Sequence, residues 1–487
     1  MSNEGKVTVA TPSKEYAANA VYWALPQALR GGTLSMRAAG EAYLPKFPKE
    51  TTNLYQDRLD QSVLFNAFWR TCTTLAAKPF QKMVNLGDSV VGDEELKGWV
   101  ENIDRSGRNL TAFAHDLLLD LLGYGVCRFA VDMPVTKREA DDAPLTLAQE
   151  QEQDIRPYFA QLPPLGTIEA RRDGDGDVPF DRVRIKGEKS VSEGDWGEKE
   201  YETVRVITGE TFDLYIKVGE EWPANPTETT PNTLGKVPVV EVSFLVDGRP
   251  PLDDLAWLNA RHWQSDSDQE NILHVARVPF KLFAGFTAEE VEVIEISRSK
   301  GVRSASPDAR IDVVEHSGEA IAAGRTHGMD LKEAMSGFGV SMVMDRKSDA
   351  TATGRKIDQT NGDSDLQMMV RRLATGLEQG FALMGEWAKR ELDVTVEIFD
   401  DYNFNPDDAT HEQRLKRAAQ GFISTKTLIM EDKRAGLWSD DVDPEDELDQ
   451  IEQQGLGDGD GFDVRPDPEK PEDDPDEDAE DDTEDAG

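Results

Sequence analysis

Residues 345–362, DRKSDATATGRKIDQTNG, contain the side chains of this 487-residue chain that most resemble a phosphate-binding loop. Small hydroxyl residues lead into a Gly-Arg-Lys triplet that starts at Gly354, and a helical pattern follows. A phosphate loop needs a glycine five residues earlier, a hydroxyl residue after the lysine and a buried strand in front. Asp349 and Ile357 occupy those two positions, and the preceding pattern is helical. The sequence therefore argues against a nucleotide site.

No other motif predicts catalysis or a bound cofactor. The chain has no G-x-G-x-x-G, G-x-S-x-G or H-E-x-x-H pattern, and its aspartate-rich turns lack the glycine and closing glutamate of a calcium loop. His262 and His274 share a predicted helix but do not lie on one face, which favours packing roles. We therefore expect a protein that is not an enzyme, with no catalytic residue, no metal site and no cofactor.

The charge of the chain is strongly negative and is concentrated at one end. The formal net charge is −42, and residues 440–487 contain 24 acidic side chains against two basic ones. Because this tail has almost no apolar side chain to bury, we expect it to be disordered. The remaining body is also acidic, which excludes broad neutralisation of nucleic-acid phosphates as its binding mode.

Cys72 and Cys127 are the only cysteines, too few for a disulfide scaffold, and both lie in apolar segments. We expect buried, reduced thiols and synthesis in a reducing cytoplasm. The polar N-terminus does not have the pattern of a signal peptide. No run of about 18 apolar residues predicts a membrane span.

Helical and strand patterns occupy separate stretches of the first half, which predicts an α+β protein. Apolar spacing predicts helices at 53–76 and 109–122, and a strand follows at 126–134. From 156 to 246 the apolar period changes to two, which predicts a β-rich meander with long polar loops. The expected apolar face of the first helix comprises Leu54, Leu59, Val63, Leu64, Phe68 and Leu75.

The helix predicted at 251–279 has an unusual middle. Its first half is amphipathic, but a polar belt then runs nearly all round it. Such a helix suits a position between identical neighbours, or along a water-filled passage, better than a single-chain core. The belt comprises Gln264, Ser265, Asp266, Asp268 and Gln269.

Shorter elements and one long helix complete the pattern. A small α/β piece, with an acidic helix near 287–296 and a strand at 309–316, lies between helices. The elements predicted after it are a helix at 328–344, a long helix with one apolar stripe at 363–391, a strand at 393–399, and two short helices at 411–422 and 424–438. Ser424 is the expected N-cap of the last helix.

The order of these pieces resembles the bacteriophage portal proteins, and in particular a portal-like group catalogued as a family of unknown function. Segments spread over about 40–440 carry the likeness. They are GEAYLPKFPKE with YQDRLDQSVLFNAFWRTCTTLAAKPFQK, then RPYFAQLPP with RVRI and TVRVI, then PLDDLAWLNARHWQSDSDQENILHVARVPFKLFAG, and finally SDATATGRKIDQTNGDSDLQMMVRRLATGLEQGFALMGEW.

The resemblance implies a portal fold with a wing, a helical stem, a clip and a crown. It maps onto the sequence as an N-terminal arm at 1–39, a wing at 40–250 (helical part 40–135, β-rich part 156–250), a stem helix at 251–283, a clip at 284–315, a second stem helix at 316–344, a channel loop at 345–354, a long helix with a return strand at 355–404, crown-like helices at 405–439 and the acidic tail at 440–487.

In function, the resemblance implies a ring, usually of twelve copies, at one capsid vertex of a virion, made in the host cytoplasm. Double-stranded DNA passes non-specifically through its centre during packaging and ejection. Terminase, the major capsid protein and a neck or adaptor protein would dock on it, and no membrane is involved. An acidic wall suits such a conduit, because tight phosphate binding would stall the DNA. The implied channel candidates are Arg346, Lys347, Ser348, Asp349, Thr351, Thr353, Arg355 and Lys356.

Two other functions stay open at this stage. A different head–neck connector or adaptor would share the virion setting, but such proteins are usually much shorter and lack the order stem, clip, stem. A metal-dependent enzyme could use the abundant carboxylates, although no motif frames a site.

Overall fold

The structure is a computed structural model that describes residues 7–90, 92–134, 154–174, 178–194, 196–244, 249–276, 280–285, 306–314, 318–338, 352–400, 415–418, 420, 422–434 and 443–453. Some of these, including 352–364, are described by their backbone alone. The chain divides into two compact units, Met1–Tyr402 and Asn403–Gly487. Both helices and sheets are present, as the α+β prediction requires.

Helices form about half of the described structure. In the first unit they are α1 (Lys14–Arg30), α2 (Gly32–Ala39), α3 (Thr52–Gln61), α4 (Ala67–Ala77), α5 (Glu94–Glu101), α6 (Leu110–Tyr124), α7 (Asp253–Ala276), α8 (Glu319–Ser336) and α9 (Ala352–Ala388), with 3-10 turns at Gly40–Ala42, Pro79–Gln81 and Gly87–Val90. In the second unit they are α10 (Thr425–Arg434) and α11 (Pro444–Gln453).

The strands form three separate antiparallel sheets. Their bounds are β1 (Val126–Asp132), β2 (Tyr158–Leu162), β3 (Thr167–Arg172), β4 (Phe180–Glu193), β5 (Gly197–Thr208), β6 (Thr211–Ile216), β7 (Glu228–Pro231), β8 (Val239–Ser243), β9 (Phe280–Ala284) and β10 (Arg310–Val314). One sheet has the order β2-β1-β8, the second is β9 with β10, and the third is the meander β3-β4-β5-β6-β7. The predicted β-rich region is confirmed, but it divides between two sheets.

The main core lies between α6, the β2-β1-β8 sheet and the long helix α9. The apolar stripe predicted for α9 is buried there, with Leu373, Leu377 and Phe381 fully enclosed. Phe159 of β2 contacts three further aromatic rings, at centroid distances from 4.9 to 5.7 Å. Cys72 and Cys127 are buried and unpaired, as predicted, and burial raises the pKa of both thiols.

The described part of the N-terminal segment, residues 7–39, packs on the body, while its assignment as an arm at 1–39 stays a prediction. Its side chains Trp23, Leu29 and Met36 are buried. The backbone N–H of Ser13 donates to the carbonyl of Ile168, 2.9 Å away, beside strand β3. Burial of this face stabilises α1 far more than its helix propensity does.

The single helix predicted at 53–76 is two helices, α3 and α4. The chain is extended at Ser62, and the Asn66 side chain caps α4 by accepting a hydrogen bond from the Trp69 N–H at 3.1 Å. Leu54 and Val63 of the expected apolar face are consequently 59% and 62% exposed. The helix predicted at 109–122 is confirmed as α6, but it continues through Gly123, and only Gly125 ends it in the left-handed conformation.

The strand predicted at 393–399 does not form. Val394, Val396 and Ile398 are buried in the alternating manner of a strand. However, the segment makes only a single bridge, between Glu397 and Asn85, in the described part of the chain. The alternation identified the buried face correctly, but no neighbouring strand continues the ladder.

Two predicted helix starts also differ. Helix α8 begins at Glu319, nine residues before the start of the helix predicted at 328–344, and it is described to Ser336. Helix α9 begins at Ala352, so the last three residues of the expected channel loop at 345–354 are helical. The early turns of α9 carry no apolar stripe, so periodicity could not reveal them.

In the second unit, the Ser424 cap is confirmed: its Oγ accepts from the N–H of Thr427 at 3.1 Å, at the start of α10. The disorder expected throughout 440–487 is contradicted by helix α11. Asp443 caps this helix by accepting from the Glu445 N–H at 2.7 Å, and proline at the first position suits a helix start.

Candidate functional site

Helices α7 and α8 form an antiparallel hairpin that leaves the body and returns to it. Strand β9 follows the outer end of α7 and β10 precedes α8, and these strands pair with each other in a sheet of two. At 1.5 Å per residue, the 24 residues of α7 extend about 36 Å. The hairpin thus holds a small separate sheet at its outer end.

The first half of α7 is embedded in the body. Leu255 and Trp263 are fully buried. Asn259, also fully buried, accepts a hydrogen bond from the Phe68 N–H at 2.9 Å and donates to the Phe65 carbonyl at 2.8 Å. These bonds satisfy backbone groups where the chain turns from α3 into α4, so the base of the hairpin is fixed to both helices.

Arg58 of α3 joins the body to the middle of α7. Its guanidinium makes two hydrogen bonds of 2.9 Å to the Glu50 carboxylate and one of 2.9 Å to the carbonyl of Pro45. It also donates to Ser267 Oγ of α7 at 3.4 Å and lies 4.1 Å from the Phe47 ring centroid. Since the side chains of Arg58 and Glu50 are 4% and 7% exposed, this is a buried, two-pronged ion pair.

The hydrogen bonds from Arg58 lower the pKa of Glu50, more than its burial raises it. The stability that this carboxylate contributes is therefore present above the unfolded-state pKa of about 4.5 and is lost as the pH falls through the lower folded value. We expect the difference in unfolding free energy between wild type and Glu50→Gln to be constant near pH 7 and to shrink below pH 4.5. Denaturant titrations from pH 3 to 7 measure it, and a difference that does not vary with pH would contradict this assignment.

The polar belt has partners within its own chain. Gln264 donates to the Tyr43 carbonyl at 2.9 Å, Gln269 donates to the Ile321 carbonyl at 3.1 Å, and Asp268 lies 4.0 Å from Arg58. Ser265 and Asp266 are half-buried. These contacts show that the polar side chains of the belt have partners within a single chain. The position of the belt between neighbouring copies of a ring stays a prediction.

Helices α7 and α8 approach most closely at Gly324. A Cβ atom placed on this glycine would lie 1.9 Å from Oε1 of Gln269, whereas one placed on Gly328, a turn later, would meet nothing within 4 Å. Gly324 therefore leaves room for the Gln269 amide to cross onto the Ile321 carbonyl.

This pair of glycines allows a matched comparison. Alanine favours a helix over glycine by up to about 1 kcal/mol, so Gly328→Ala should stabilise the protein. Gly324→Ala should gain the same propensity but lose the Gln269 hydrogen bond, which is worth about 0.5–1.5 kcal/mol. We expect chemical denaturation to find Gly324→Ala less stable than Gly328→Ala by that amount. Equal stability would show that the Gln269 contact contributes nothing.

Most of the surface of α8 is exposed. Leu331 and Met335 are its buried side chains, and Met329 is 59% exposed. Small or apolar side chains on the open surface include Ala320, Ala322, Ala323, Met329 and Ala334. A helix whose apolar groups lie on both sides packs against more than one neighbour.

The predicted packing role of His262 is confirmed, because it is buried beside the Phe65 ring at a centroid distance of 5.6 Å. Burial lowers its pKa, so the imidazole is neutral near pH 7. No group of three or more histidine, cysteine or acidic side chains within the described residues could hold a metal ion.

The channel candidates are described only in part. Thr353, Arg355 and Lys356 lie on the backbone of the first turns of α9. Five others, Arg346, Lys347, Ser348, Asp349 and Thr351, lie outside the described residues. The structure therefore brings together the polar belt but does not test the channel residues.

Arg58 and Glu50 were not predicted from the sequence. A signal was present, because Tyr55, Arg58 and Leu59 have the spacing of a buried helical face and all three are buried. A cation at such a position needs a buried partner.

Within the described helices, none is both long and apolar enough to span a membrane.

Solved structures with chains similar to this one include particles of gene transfer agents. A chain of "Neck of empty GTA particle computed with C6 symmetry" is 11% identical, with a TM-score of 0.41, over 81% of this chain and 91% of that chain. For "Neck of native GTA particle computed with C12 symmetry" the values are 12%, 0.38, 83% and 99%. For "Virion of native gene transfer agent (GTA) particle" they are 11%, 0.41, 80% and 96%.

No curated protein matches the sequence. One family does, and the matching part begins just before α7 and ends with α9, so it contains the hairpin and the long helix. Residues 251–388 match the family described as "Domain of unknown function (DUF4055)".

Proposed function

We propose that this chain is a portal protein. Copies close into a ring, of twelve subunits in the family that the sequence resembles, at one capsid vertex of a virion. The ring is a conduit for double-stranded DNA during packaging and ejection and has no catalytic activity. Its proposed partners are the terminase, the major capsid protein and a neck or adaptor protein.

The observation that carries this proposal is the α7–α8 hairpin. It is fixed to the body at one end by Asn259 and Arg58, and it holds the β9–β10 sheet at the other. This is the stem and clip order expected from the resemblance. Within the described chain, no other element covers the exposed surface of α8. An uncovered helix surface suits contact with the stems of neighbouring copies.

The negative charge of the chain supports a conduit through which DNA passes, rather than a surface that binds DNA tightly. Because each chain has a formal net charge of −42, the ring would repel DNA phosphates over most of its surface. Brief, non-specific contacts would then come from the sparse basic residues Arg346 and Lys347. We propose that these two residues, with the neighbouring channel candidates, line the narrowest part of the ring.

The proposed ring can be observed directly. We expect native mass spectrometry and negative-stain images of the purified full chain to show closed rings of about twelve copies. Met329→Glu, which places a carboxylate on the open face of α8, should abolish the rings and leave the circular dichroism spectrum unchanged. Met83→Glu, at a methionine that is 72% exposed elsewhere in the body, is the matched control and should still form rings.

A wild-type protein that stays monomeric at every concentration and salt would overturn the portal proposal. Rings that form equally well with Met329→Glu would instead move the subunit interface away from α8.

A further inference from the structure

Strands β4 and β5 extend beyond the sheet that contains them. Strand β3 pairs with β4 only as far as Ile185, and β6 pairs with β5 only from Thr203 onward. The pairing of β4 with β5 continues to Glu193 and Gly197, so that residues 188–193 and 197–202 form a ribbon of two strands. A two-stranded ribbon has little stability of its own in water.

The turn of this ribbon presents a tryptophan. Trp196 is 98% exposed, the highest value among the large apolar side chains that the structure describes. Gly194 has φ of +71°, and a Cβ atom on Gly197 would lie 2.6 Å from the carbonyl oxygen of Glu193. The turn therefore requires glycine on both sides of the tryptophan. Tryptophan is the kind of side chain that anchors protein interfaces.

One face of the ribbon is acidic. In the register of β4 with β5, Glu188 lies opposite Glu202, and Glu198 and Glu200 lie on the same face. Like charges directly across a strand pair are unfavourable. Glu202 is compensated by Lys186 and Lys217, at 3.0 and 2.6 Å. The remaining glutamates give the outer ribbon a surface that suits a cationic partner.

A cleft of about 580 Å³ between α1, α6 and β2 has side chains that suit both an indole ring and acidic groups. Its walls include Pro163, Pro164, Leu165 and Tyr158, together with two arginines, Arg30 and Arg108. Flat apolar rings and guanidinium groups are the surfaces against which an indole packs well.

The arginines of the cleft face outward while their main counter-ions lie beneath them. The Arg30 side chain is 39% exposed and that of its partner Asp120 is 2% exposed, at 2.8 Å. Arg108 is 38% exposed above Asp104, which is 4% exposed, at 2.6 Å, and it also contacts the half-exposed Asp116. In the pairs Arg30–Asp120 and Arg108–Asp104, the guanidinium group is therefore exposed to solvent in the cleft and the carboxylate is buried.

We propose that Trp196 of one copy inserts into the Arg30–Arg108 cleft of the next copy, with the acidic face of the ribbon over the two arginines. This interface rests on the proposed ring. Because the ribbon and the cleft are different surfaces, the contact is heterologous, and repeated contacts of that kind form a ring when the rotation between copies closes. Within its own chain Trp196 is 98% exposed and does not line the cleft, so the proposed occupant is the tryptophan of a second copy.

The charged edges of the ribbon favour this insertion over edge-to-edge strand pairing. Lys189 and Lys199 lie on its two strands, and lysine on an exposed edge opposes the addition of another strand. The tip is therefore the part of the ribbon that docks.

Cross-linking between different copies tests the proposal. Ser192→Cys and Pro163→Cys, both at exposed positions, are made on separate full-length chains, which are then assembled as a mixture and treated with a short bifunctional maleimide. Cys72 and Cys127 are buried and should not react. We expect a cross-linked dimer of one chain of each kind. A mixture of Ser192→Cys with Met83→Cys, which lies outside the cleft, is the control and should give no such product.

Removal of the indole gives the second measurement. Trp196→Ala should raise the protein concentration at which half the chains are in rings by at least about tenfold, as for an interface anchor, while Val191→Ala on the same ribbon should change it little. Intact rings with unchanged stability in Trp196→Ala, and no cross-link, would overturn the ribbon contact and leave the ring proposal standing. Absence of rings in the wild type would overturn both.

Discussion

Replacing Arg58 by methionine is expected to lower the free energy of unfolding by about 3–5 kcal/mol. Methionine fills much of the same space, but it leaves the Glu50 carboxylate, whose side chain is 7% exposed, without its cation. The Pro45 carbonyl loses its donor as well, and Ser267 Oγ keeps only the hydrogen bond from Ser62 Oγ. The cost is large because a buried charge without a partner is far less stable than either a buried pair or an apolar contact.

Urea denaturation followed by tryptophan fluorescence measures this loss. Lys97→Ala is a suitable control, because Lys97 forms a surface pair with Glu94, and such pairs contribute no more than about 1 kcal/mol. The double variant Arg58→Met, Glu50→Leu removes both charges and should recover part of the stability. A loss below 1 kcal/mol for Arg58→Met alone would show that Arg58 contributes little to holding α7 to the body.

Phe159→Ala is expected to cost about 3–5 kcal/mol. The ring is completely buried and lies 4.9 Å from Phe129, 5.4 Å from Phe381 and 5.7 Å from Phe113, measured between centroids. These four rings come from α6, β1, β2 and α9, so a cavity at Phe159 loosens every layer of the core. Thermal and urea unfolding check the value, and Leu34→Ala, at a side chain that is 77% exposed, should change stability by less than about 0.5 kcal/mol.

Added volume at the same place should also destabilise. A Cβ atom on Gly380 would lie 2.6 Å from Phe129 and 2.8 Å from Phe159. Overpacking of this kind typically costs about 1–3 kcal/mol. If Gly380→Ala instead raised stability, the long helix would have to be free to shift away from the sheet.

The parts of the fold that could be predicted are those in which one helix face or strand face is buried throughout. The spacing in α6 and in the second half of α9 identifies side chains that are buried in both helices, although α6 is buried on further sides as well. The meander could also be predicted, since each of its strands is next to its neighbour in sequence.

Other elements could not be predicted from apolar periodicity. They depend on distant residues, or on local capping signals that carry less weight than the periodicity or composition around them. The break between α3 and α4 preserves helical spacing, and only the cap at Asn66 marks it. Helix α11 carries the start signals Asp443 and Pro444, which the acidic composition of the tail obscures. The segment at 393–399 alternates like a strand, but the absence of a ladder depends on what lies beside it.

The sequence indicated which elements form the candidate site, but it did not indicate the contacts within the site. The polar belt on α7 and the order of helix, small α/β piece and helix were visible in the sequence. The contact of Arg58 with Ser267 and the close approach at Gly324 were not, because each depends on a partner many residues away.

The bridge between Asn85 and Glu397 has a consequence for how the protein is made. Their side chains are also hydrogen bonded, at 3.1 Å, across 312 positions of the sequence. Long-range closure of this kind slows folding, and the N-terminal helices cannot complete their core until the ribosome has synthesised α9 and the segment after it. A nascent chain would therefore expose apolar surface for most of its translation. We expect early release from the ribosome before residue 400 to yield aggregates, while release after it yields chains ready to assemble.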